Sequence, residues 1–263
     1  MSQSIRISML HASLRSDNVL HNIELLEALF LKALEVEPDL IVMPELAVSG
    51  YEFFTEIGTK WIKAVVPETI ARFSRLAQAH KTAVILASPR FNETTKKYHN
   101  AAIFIDEQGQ IAGEYYKINV LHGSEDWASP GEEIKPVVWQ GHKIGLLICS
   151  DAYTRNITEE LAKQGAQVLI SPAAWGPGLH GPNGEWEQRS KETGLCLFVC
   201  NRTGREKKMS FAGGSSVVVA GGRRVIDYSK KQPAILSIEV ESSDWFPLSE
   251  QFDILEIFGN GAA

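Results

Sequence analysis

The stretch KIGLLICSDAY, residues 143–153, determines how the rest of the chain is interpreted. Its apolar run 144–148 is bounded by polar residues and predicts a short buried strand. Cys149 follows the run directly and therefore stands where the strand ends. In α/β proteins, ligands bind in the crevice beyond the carboxyl ends of the strands. A free cysteine is also among the most buried residue types and often serves only as a small apolar side chain, so Cys149 alone leaves both roles open.

The composition is that of an ordinary globular protein. Of 263 residues, 44% are apolar and 22% are charged, which predicts a sizeable core. The net charge is −6 and the Lys and Arg residues are scattered, which argues against nucleic-acid binding. There is no signal-peptide pattern and no apolar run near the ~20 residues that a bilayer requires. Three cysteines argue against a disulfide framework. We therefore expect a soluble cytoplasmic enzyme or binding protein without a membrane or nucleic-acid partner.

Apolar strands alternate with helices in two similar halves of the chain. The first half is predicted to hold strands at 5–10, 40–43, 83–88, 101–105 and 111–116 and helices at 18–35 and 69–80. The second is predicted to hold strands at 137–140, 144–148, 167–171, 196–200, 215–220 and 224–228 and helices at 158–164 and 185–193. No linker separates the halves, so we predict one domain, 1–263, of α/β class with a mixed sheet covered on both sides. The tail, about 241–263, is expected to pack at a subunit interface.

Two further polar residues stand at the ends of apolar strands. Glu45 follows the run LIVM and a proline, and Lys117 follows a hairpin strand. Taken singly, Glu45 is equally well a salt-bridged strand cap, and Lys117 is more often a solvated strand end. Taken together with Cys149, the carboxylate is suited to act as general base and the ammonium to stabilise an oxyanion. This combination indicates acyl transfer through a thioester.

The chain resembles the carbon–nitrogen hydrolase (nitrilase) superfamily, with its Glu-Lys-Cys triad, in its amidase-like branch. The resemblance extends from about residue 5 to residue 240 and is carried by LIVMPELAVSGYEF, GEYYKINVLHGSEDWASPGEE, IGLLICSDAY, GAQVLISPAAW, WEQRSKETGLCLFVCNRTG and FAGGSSVVVAGG. It implies a four-layer α-β-β-α sandwich with two similar halves. It also implies subunits that pair through helices, and hence a homo-oligomer, a dimer or larger.

The resemblance also implies roles for single residues. Glu45 is expected to be the general base, and Cys149 the nucleophile. Lys117 is expected to stabilise the oxyanion together with the backbone N–H of Ser150. A second glutamate of the family, which orders the lysine and the substrate, matches Glu125 best. Three neighbouring acids are alternatives for that position: Asp126, Glu132 and Glu133.

The sequence departs from the family pattern after the cysteine. Cys149-Ser150-Asp151 keeps an acid that favours amides or N-carbamoyl compounds over nitriles. The Arg-Phe-Pro-Glu stretch of many amidase-like members is absent, because Tyr-Thr-Arg-Asn occupies 153–156. No particular substrate can therefore be transferred to this chain. Residues expected to line the substrate pocket are Tyr51, Trp127, Ser150, Asp151, Trp175 and His180.

Rival interpretations are weaker. Residues 149–155 fit the C-x5-R spacing of cysteine phosphatases, but the interior has no glycine and carries an acid that would repel phosphate. The seven histidines show no paired metal-ligand spacing. We therefore predict a thiol amidohydrolase without metal or organic cofactor, acting on a small-molecule amide or carbamoyl compound. Nitrile hydrolysis by the same triad, and a catalytically silent member that only binds a partner, remain the alternatives.

Overall fold

The computed structural model describes residues 4–178 and 181–257. Its strands are β1 Ser4–His11, β2 Leu40–Val42, β3 Ala83–Asn92, β4 Lys97–Ile105, β5 Ile111–Tyr116, β6 Val137–Trp139, β7 His142–Leu146, β8 Val168–Ala173, β9 Cys196–Asn201, β10 Ser216–Ala220, β11 Arg223–Tyr228, β12 Ala234–Glu241 and β13 Asp253–Glu256. Its α-helices are α1 Val19–Ala33, α2 Phe53–Ile57, α3 Ile62–His80, α4 Arg155–Lys163 and α5 Glu185–Thr193.

The strands form two mixed sheets that repeat one plan. The first has the order β13-β12-β1-β2-β3-β4-β5 and the second the order β11-β10-β9-β8-β7-β6. Each has three neighbouring parallel strands, β1-β2-β3 and β7-β8-β9, with antiparallel strands on both sides. Parallel strands are normally buried on both faces, which explains the uninterrupted apolar sequence of β2, LIV, and of the first part of β3, AVILA.

The sheets pack face to face and the helices cover their outer faces. Contact between the sheets is close enough for the Cys200 thiol of β9 to lie 3.1 Å from the carbonyl oxygen of Val42 in β2. On one outer face, Phe30 of α1 and Phe73 of α3 meet edge to face and share a core with the outward side chains of the first sheet. On the other, α4 and α5 share a core with the second sheet. The predicted α-β-β-α sandwich is confirmed.

Several boundaries differ from the sequence prediction. Helix α3 begins at Ile62 rather than at residue 69 and includes Pro67 in its second turn, although a proline removes one backbone donor there. Strand β12 was not predicted, yet it pairs with β1 over eight residues and makes the N-terminal strand an interior one. Part of the tail packs on its own subunit, because β13 pairs with β12 at the edge of the first sheet. Packing of the tail on a partner subunit stays a prediction.

This topology determines where the three predicted catalytic residues lie. Glu45 comes after β2, Lys117 directly after β5 and Cys149 after β7. Strands β2 and β3 are parallel, and two antiparallel steps give β5 the direction of β3. Strand β7 lies in the second sheet, and a parallel bridge between Ser13, after β1, and Thr203, after β9, gives the parallel strands of both sheets the same direction. The carboxyl ends of β2, β5 and β7 therefore point to one end of the sandwich, where their polar residues meet. No helix in residues 4–178 and 181–257 is long and apolar enough to cross a membrane.

Candidate active site

Cys149 stands at a sharp turn between β7 and a short 3-10 helix, Cys149–Tyr153. Its φ is +47°, a left-handed conformation that residues other than glycine rarely adopt. Such backbone strain costs on the order of 1–3 kcal/mol and persists where the surrounding structure enforces it. The turn leaves the thiol, on a residue only 4% exposed, at the floor of a cavity.

The carboxylate of Asp151 holds this turn in place. One oxygen accepts hydrogen bonds from the N–H of Ile148 at 2.9 Å and the hydroxyl of Tyr115 at 2.8 Å. The other accepts from the N–H groups of Ile118 at 3.1 Å and Asn119 at 2.7 Å. Asp151 is fully buried and ties the turn at Cys149 to the segment that follows Lys117. Its role in the structure is to brace the site, and it is not among the residues that line the cavity.

We expect Asp151→Asn to weaken both the fold and the site. The asparagine amide has one acceptor oxygen where aspartate has two. Its NH₂ group would face two of the present donors, and these donors would lose their acceptor. Each unsatisfied buried donor costs about 1–3 kcal/mol, and a shifted nucleophile lowers kcat by roughly 10- to 100-fold. Urea unfolding and steady-state kinetics measure the two effects. Asp227→Asn, at a partly exposed ion pair with Arg224, is the control, and an equal response of both variants would contradict the bracing role.

Glu45 lies buried between the two halves of the molecule. The next residue, Leu46, has a φ of +50°, so this strand end is also strained. One carboxylate oxygen accepts the N–H of Ala174 at 2.9 Å, and Ala174 comes directly after β8 of the second sheet. The same N–H contacts the thiol of Cys149. The carboxylate and the thiol, 104 residues apart in sequence (149 − 45), are thus held beside one backbone donor.

Lys117 lies between two glutamates. Its Nζ donates to Glu45 at 2.6 Å and to Glu125 at 2.7 Å, and all three side chains are fully buried. The three alternative acids for the second glutamate, Asp126, Glu132 and Glu133, are exposed. The structure therefore brings Glu125, and not its neighbours, into the cluster with Lys117. The backbone N–H of Leu121 also donates to Glu125, at 3.0 Å.

Asn100 completes the cluster and was not predicted from the sequence. Its amide nitrogen donates to Glu45 at 2.8 Å and to Glu125 at 2.7 Å, so one side chain fixes both carboxylates. Its backbone oxygen accepts the N–H of Lys117 at 2.8 Å. Asn100 lies within β4, in the segment YHNAAIF, which matches none of the family motifs. Its position beside Lys117 follows only from the pairing of β4 with β5.

The charges of the cluster set its protonation. Burial alone lowers the pKa of Lys117, but the charges of Glu45 and Glu125 outweigh it and hold the pKa well above its usual range. Burial, reinforced by the charge of Glu45, raises the pKa of Cys149 well above its usual range, against the opposing charge of Lys117. Burial, with Glu45 acting in the same direction, also raises the pKa of Glu125. At neutral pH the resting site therefore holds an ammonium and a protonated thiol.

A cavity of about 490 Å³ opens above Cys149. Of the predicted substrate-binding residues, Tyr51, Ser150 and Trp175 line it. The Tyr51 hydroxyl lies 3.3 Å from that of Ser124, and the Trp175 ring meets that of Tyr153 edge to face. The structure therefore places Tyr51, Ser150 and Trp175 around one cavity together with Cys149, and their contact with a substrate stays a prediction.

Two other predicted binding residues are placed elsewhere. Trp127 is buried against Phe53, with ring centroids 4.8 Å apart, and does not line the cavity. Asp151 braces the turn as described above. Both lie close in sequence to the motifs, but sequence proximity does not reveal which way a side chain points. His180 lies outside the described residues.

Two glutamates that were not predicted from the sequence, Glu52 and Glu206, hold two segments of the cavity wall together. The Glu206 carboxylate accepts the N–H groups of Tyr51 and Glu52, each at 2.9 Å or less. The Glu52 carboxylate in turn accepts the N–H groups of Lys208 and Met209, at 2.8 and 3.2 Å. The two wall segments that contain Tyr51 and Met209 are therefore joined by carboxylate–backbone hydrogen bonds.

No group of three or more His, Cys, Asp or Glu side chains within the described part of the chain is arranged to hold a metal ion. The residues gathered at the cavity floor instead form an acid–lysine–thiol cluster, arranged so that a carboxylate, an ammonium and a thiol share one buried space. Fold and site together define an α-β-β-α sandwich protein with a buried acid–lysine–thiol site.

Comparison with known proteins identifies the family. The carbon-nitrogen hydrolase model matches residues 6–248, and the chain belongs to this family. A probable nitrilase of Schizosaccharomyces pombe is 26% identical over 89% of this chain and 88% of its own length. An (R)-stereoselective amidase of a Pseudomonas species is 26% identical over 74% of this chain and 71% of its own. The crystal structure of a Helicobacter pylori G27 carbon-nitrogen hydrolase has a TM-score of 0.78, with 27% identity over 90% of this chain and 89% of that one. The predicted superfamily and an amidase-like hydrolase are confirmed.

Proposed function

We propose that the protein hydrolyses a C–N bond of a small amide or N-carbamoyl compound through a thioester on Cys149. The observation that carries this proposal is the buried cluster in which Lys117 donates to Glu45 at 2.6 Å and to Glu125 at 2.7 Å, with all three charges acting on the buried Cys149 thiol. The amidase named among the relatives supports it.

Acylation follows from the protonation of the site. Because the pKa of Cys149 is raised, the thiol gives up its proton only as it attacks, and the Glu45 carboxylate receives it. Sulfur bonds to the carbonyl carbon and the carbonyl oxygen takes the negative charge, which Lys117 and the N–H of Ser150 stabilise. The C–N bond then breaks, and the nitrogen leaves as ammonia or an amine with the proton that Glu45 carried.

Deacylation runs through the same groups. Glu45 takes a proton from water, the hydroxide attacks the thioester carbonyl, and the sulfur leaves as a thiolate that recovers the proton. The products are a carboxylic acid, or carbon dioxide and an amine when the substrate is a carbamoyl compound. Glu125 and Asn100 act on the reaction indirectly, by keeping Lys117 and Glu45 in position.

The test is ammonia release from a panel of aliphatic amides, ω-amides, N-carbamoyl amines and nitriles, with intact-mass detection of the acyl-enzyme. We expect turnover of at least one amide or carbamoyl class and an acyl mass that peptide mapping assigns to Cys149. Cys196→Ala, which removes a buried thiol of β9 outside the cavity, should keep both the turnover and the acyl adduct on Cys149. Absence of turnover and of any adduct on Cys149 would refute the proposal and favour a silent binding protein, and turnover of nitriles alone would favour a nitrilase.

A further inference from the structure

The cavity above Cys149 is built mainly from aromatic and apolar side chains. Tyr51 and Phe211 meet edge to face, with ring centroids 5.7 Å apart. Trp175, Leu121 and Met209 also line the space. A volume of about 490 Å³ lies within the ordinary range for small-molecule sites. Surfaces of this kind favour an apolar ligand, because they gain from the removal of its hydrocarbon from water.

The lining lacks a fixed charge for a substrate to pair with. Within residues 4–178 and 181–257, no Asp, Glu, Lys or Arg side chain lines this cavity. Its one histidine in the same described part, His122, is 99% exposed and already contacts Asp126 at 2.8 Å. The acid–lysine cluster beneath Cys149 is fully buried and internally paired. The polar groups that remain are mainly hydroxyls and backbone, which suit a neutral ligand.

The guanidinium of Arg202 lies close to the cavity but does not line it. Arg202 is fully buried, where it pairs with Glu206 and donates to the carbonyl oxygen of Leu14 at 2.7 Å. The ring of Phe211 lies over this guanidinium, 4.4 Å from ring centroid to Cζ, and Phe211 itself forms part of the cavity wall. The positive charge is therefore neutralised by an acid and covered by an aromatic ring. It cannot serve as a carboxylate-binding group without breaking this pair.

We propose that the cavity selects amides whose acyl group is uncharged and apolar or aromatic, and that it discriminates against acyl groups bearing a carboxylate or an ammonium. This inference rests on the proposed function and names its substrate class. A charged acyl group would lose its hydration in the cavity without a partner of opposite charge. An apolar acyl group of the same length loses nothing and packs on the rings. The amide nitrogen leaves as ammonia or an amine, as in the proposed mechanism.

The test is a matched set of three unbranched amides: pentanamide, glutaramate, in which a carboxylate replaces the terminal methyl, and 5-aminopentanamide, which ends in an ammonium. We expect kcat/KM for pentanamide to exceed both others by at least about 100-fold, as expected when a charge enters a site with no partner for it. A charged amide within tenfold of pentanamide, while still acylating Cys149, would overturn the inference and leave the proposed function standing. If none of the three amides acylates Cys149, the inference fails, and turnover of the N-carbamoyl amines and the other members of the wider panel decides whether the proposed function fails as well.

A charge placed in the wall provides the second measurement. Met209 is 37% exposed and lines the cavity, so its replacement should be tolerated by the fold. Met209→Arg should raise the ratio of kcat/KM for glutaramate to that for pentanamide by at least about tenfold, because the guanidinium supplies the missing partner. Met209→Leu, which adds no charge, should leave the ratio unchanged. An unaltered ratio in Met209→Arg, at unchanged thermal stability, would show that wall charge does not set selectivity.

Discussion

Cys149→Ala should lose amide turnover altogether, by at least about 10⁴-fold, while the protein stays folded. The loss is this large because covalent catalysis has no substitute for its nucleophile, and the members of such a unit act together. The fold should tolerate the change, since alanine fits the space of the thiol and meets the same left-handed backbone as cysteine. Ammonia release and the thermal midpoint measure the two effects.

The matched control for this variant is Cys200→Ala. Cys200 is also fully buried and lies in β9, but its thiol contacts the carbonyl oxygen of Val42 and not the acid–lysine cluster. It should keep turnover even if it loses some stability. Retained turnover in Cys149→Ala would refute the thioester mechanism. Loss of turnover in both variants with a common fall in stability would show that the effect comes from the fold.

The sequence predicted the positions of Glu45 and Cys149 because each follows an uninterrupted apolar run, whereas Lys117 follows the mixed strand IAGEYY at the edge of the first sheet. Such runs require burial on both faces, and the parallel centres of both sheets provide it. Strands β2 and β7 lie in different sheets, so Glu45 and Cys149 meet at one end of the sandwich because the parallel strands of the two sheets run in the same direction, as the parallel bridge between Ser13 and Thr203 shows. The family resemblance then supplied Glu125, which lies in a loop where no periodicity distinguishes it from Asp126. Burial makes the distinction, because the Glu125 side chain is enclosed and that of Asp126 is exposed.

What the sequence did not predict depends on contacts between distant segments. Asn100 is one polar residue in a hairpin strand, and its two carboxylate partners lie 55 and 25 residues away. The Glu206 wall contact joins segments about 155 residues apart. Strand β12 alternates weakly in AILSIEVE and is held in the sheet by pairing with β1 on one side and β13 on the other. No local pattern signals such pairings, because the stabilising partner is not in the same stretch of chain.

Lys117→Met should destabilise the protein strongly and in a pH-dependent manner. The variant leaves Glu45 and Glu125 buried and linked through Asn100 without the ammonium that pairs with both. Removing one partner of a buried ion pair costs about 3–5 kcal/mol. Turnover should fall by at least about 10²- to 10³-fold as well, because the oxyanion loses its charged partner.

The sign of the pH dependence follows from the two carboxylates. Burial and the charge of Glu45 raise the pKa of Glu125, and without the opposing charge of Lys117 it lies further above the value of about 4.3 that a glutamate has in an unfolded chain. Groups with a raised pKa favour the folded state below the unfolded pKa, and this contribution is lost as pH rises through the folded pKa. The variant should therefore be closer to wild type in stability at pH 5 than at pH 8, as measured by urea unfolding at both pH values.

Two further variants isolate the cause. Lys117→Met/Glu125→Gln removes one of the two carboxylates, so it should recover part of the stability at pH 8 while turnover stays low. Lys163→Met changes a lysine that is 67% exposed at the surface, where an ion pair contributes at most about 1 kcal/mol, and should be near wild type at both pH values. Equal destabilisation of Lys117→Met at pH 5 and pH 8 would contradict the argument, because the loss would then come from packing and not from unpaired carboxylates.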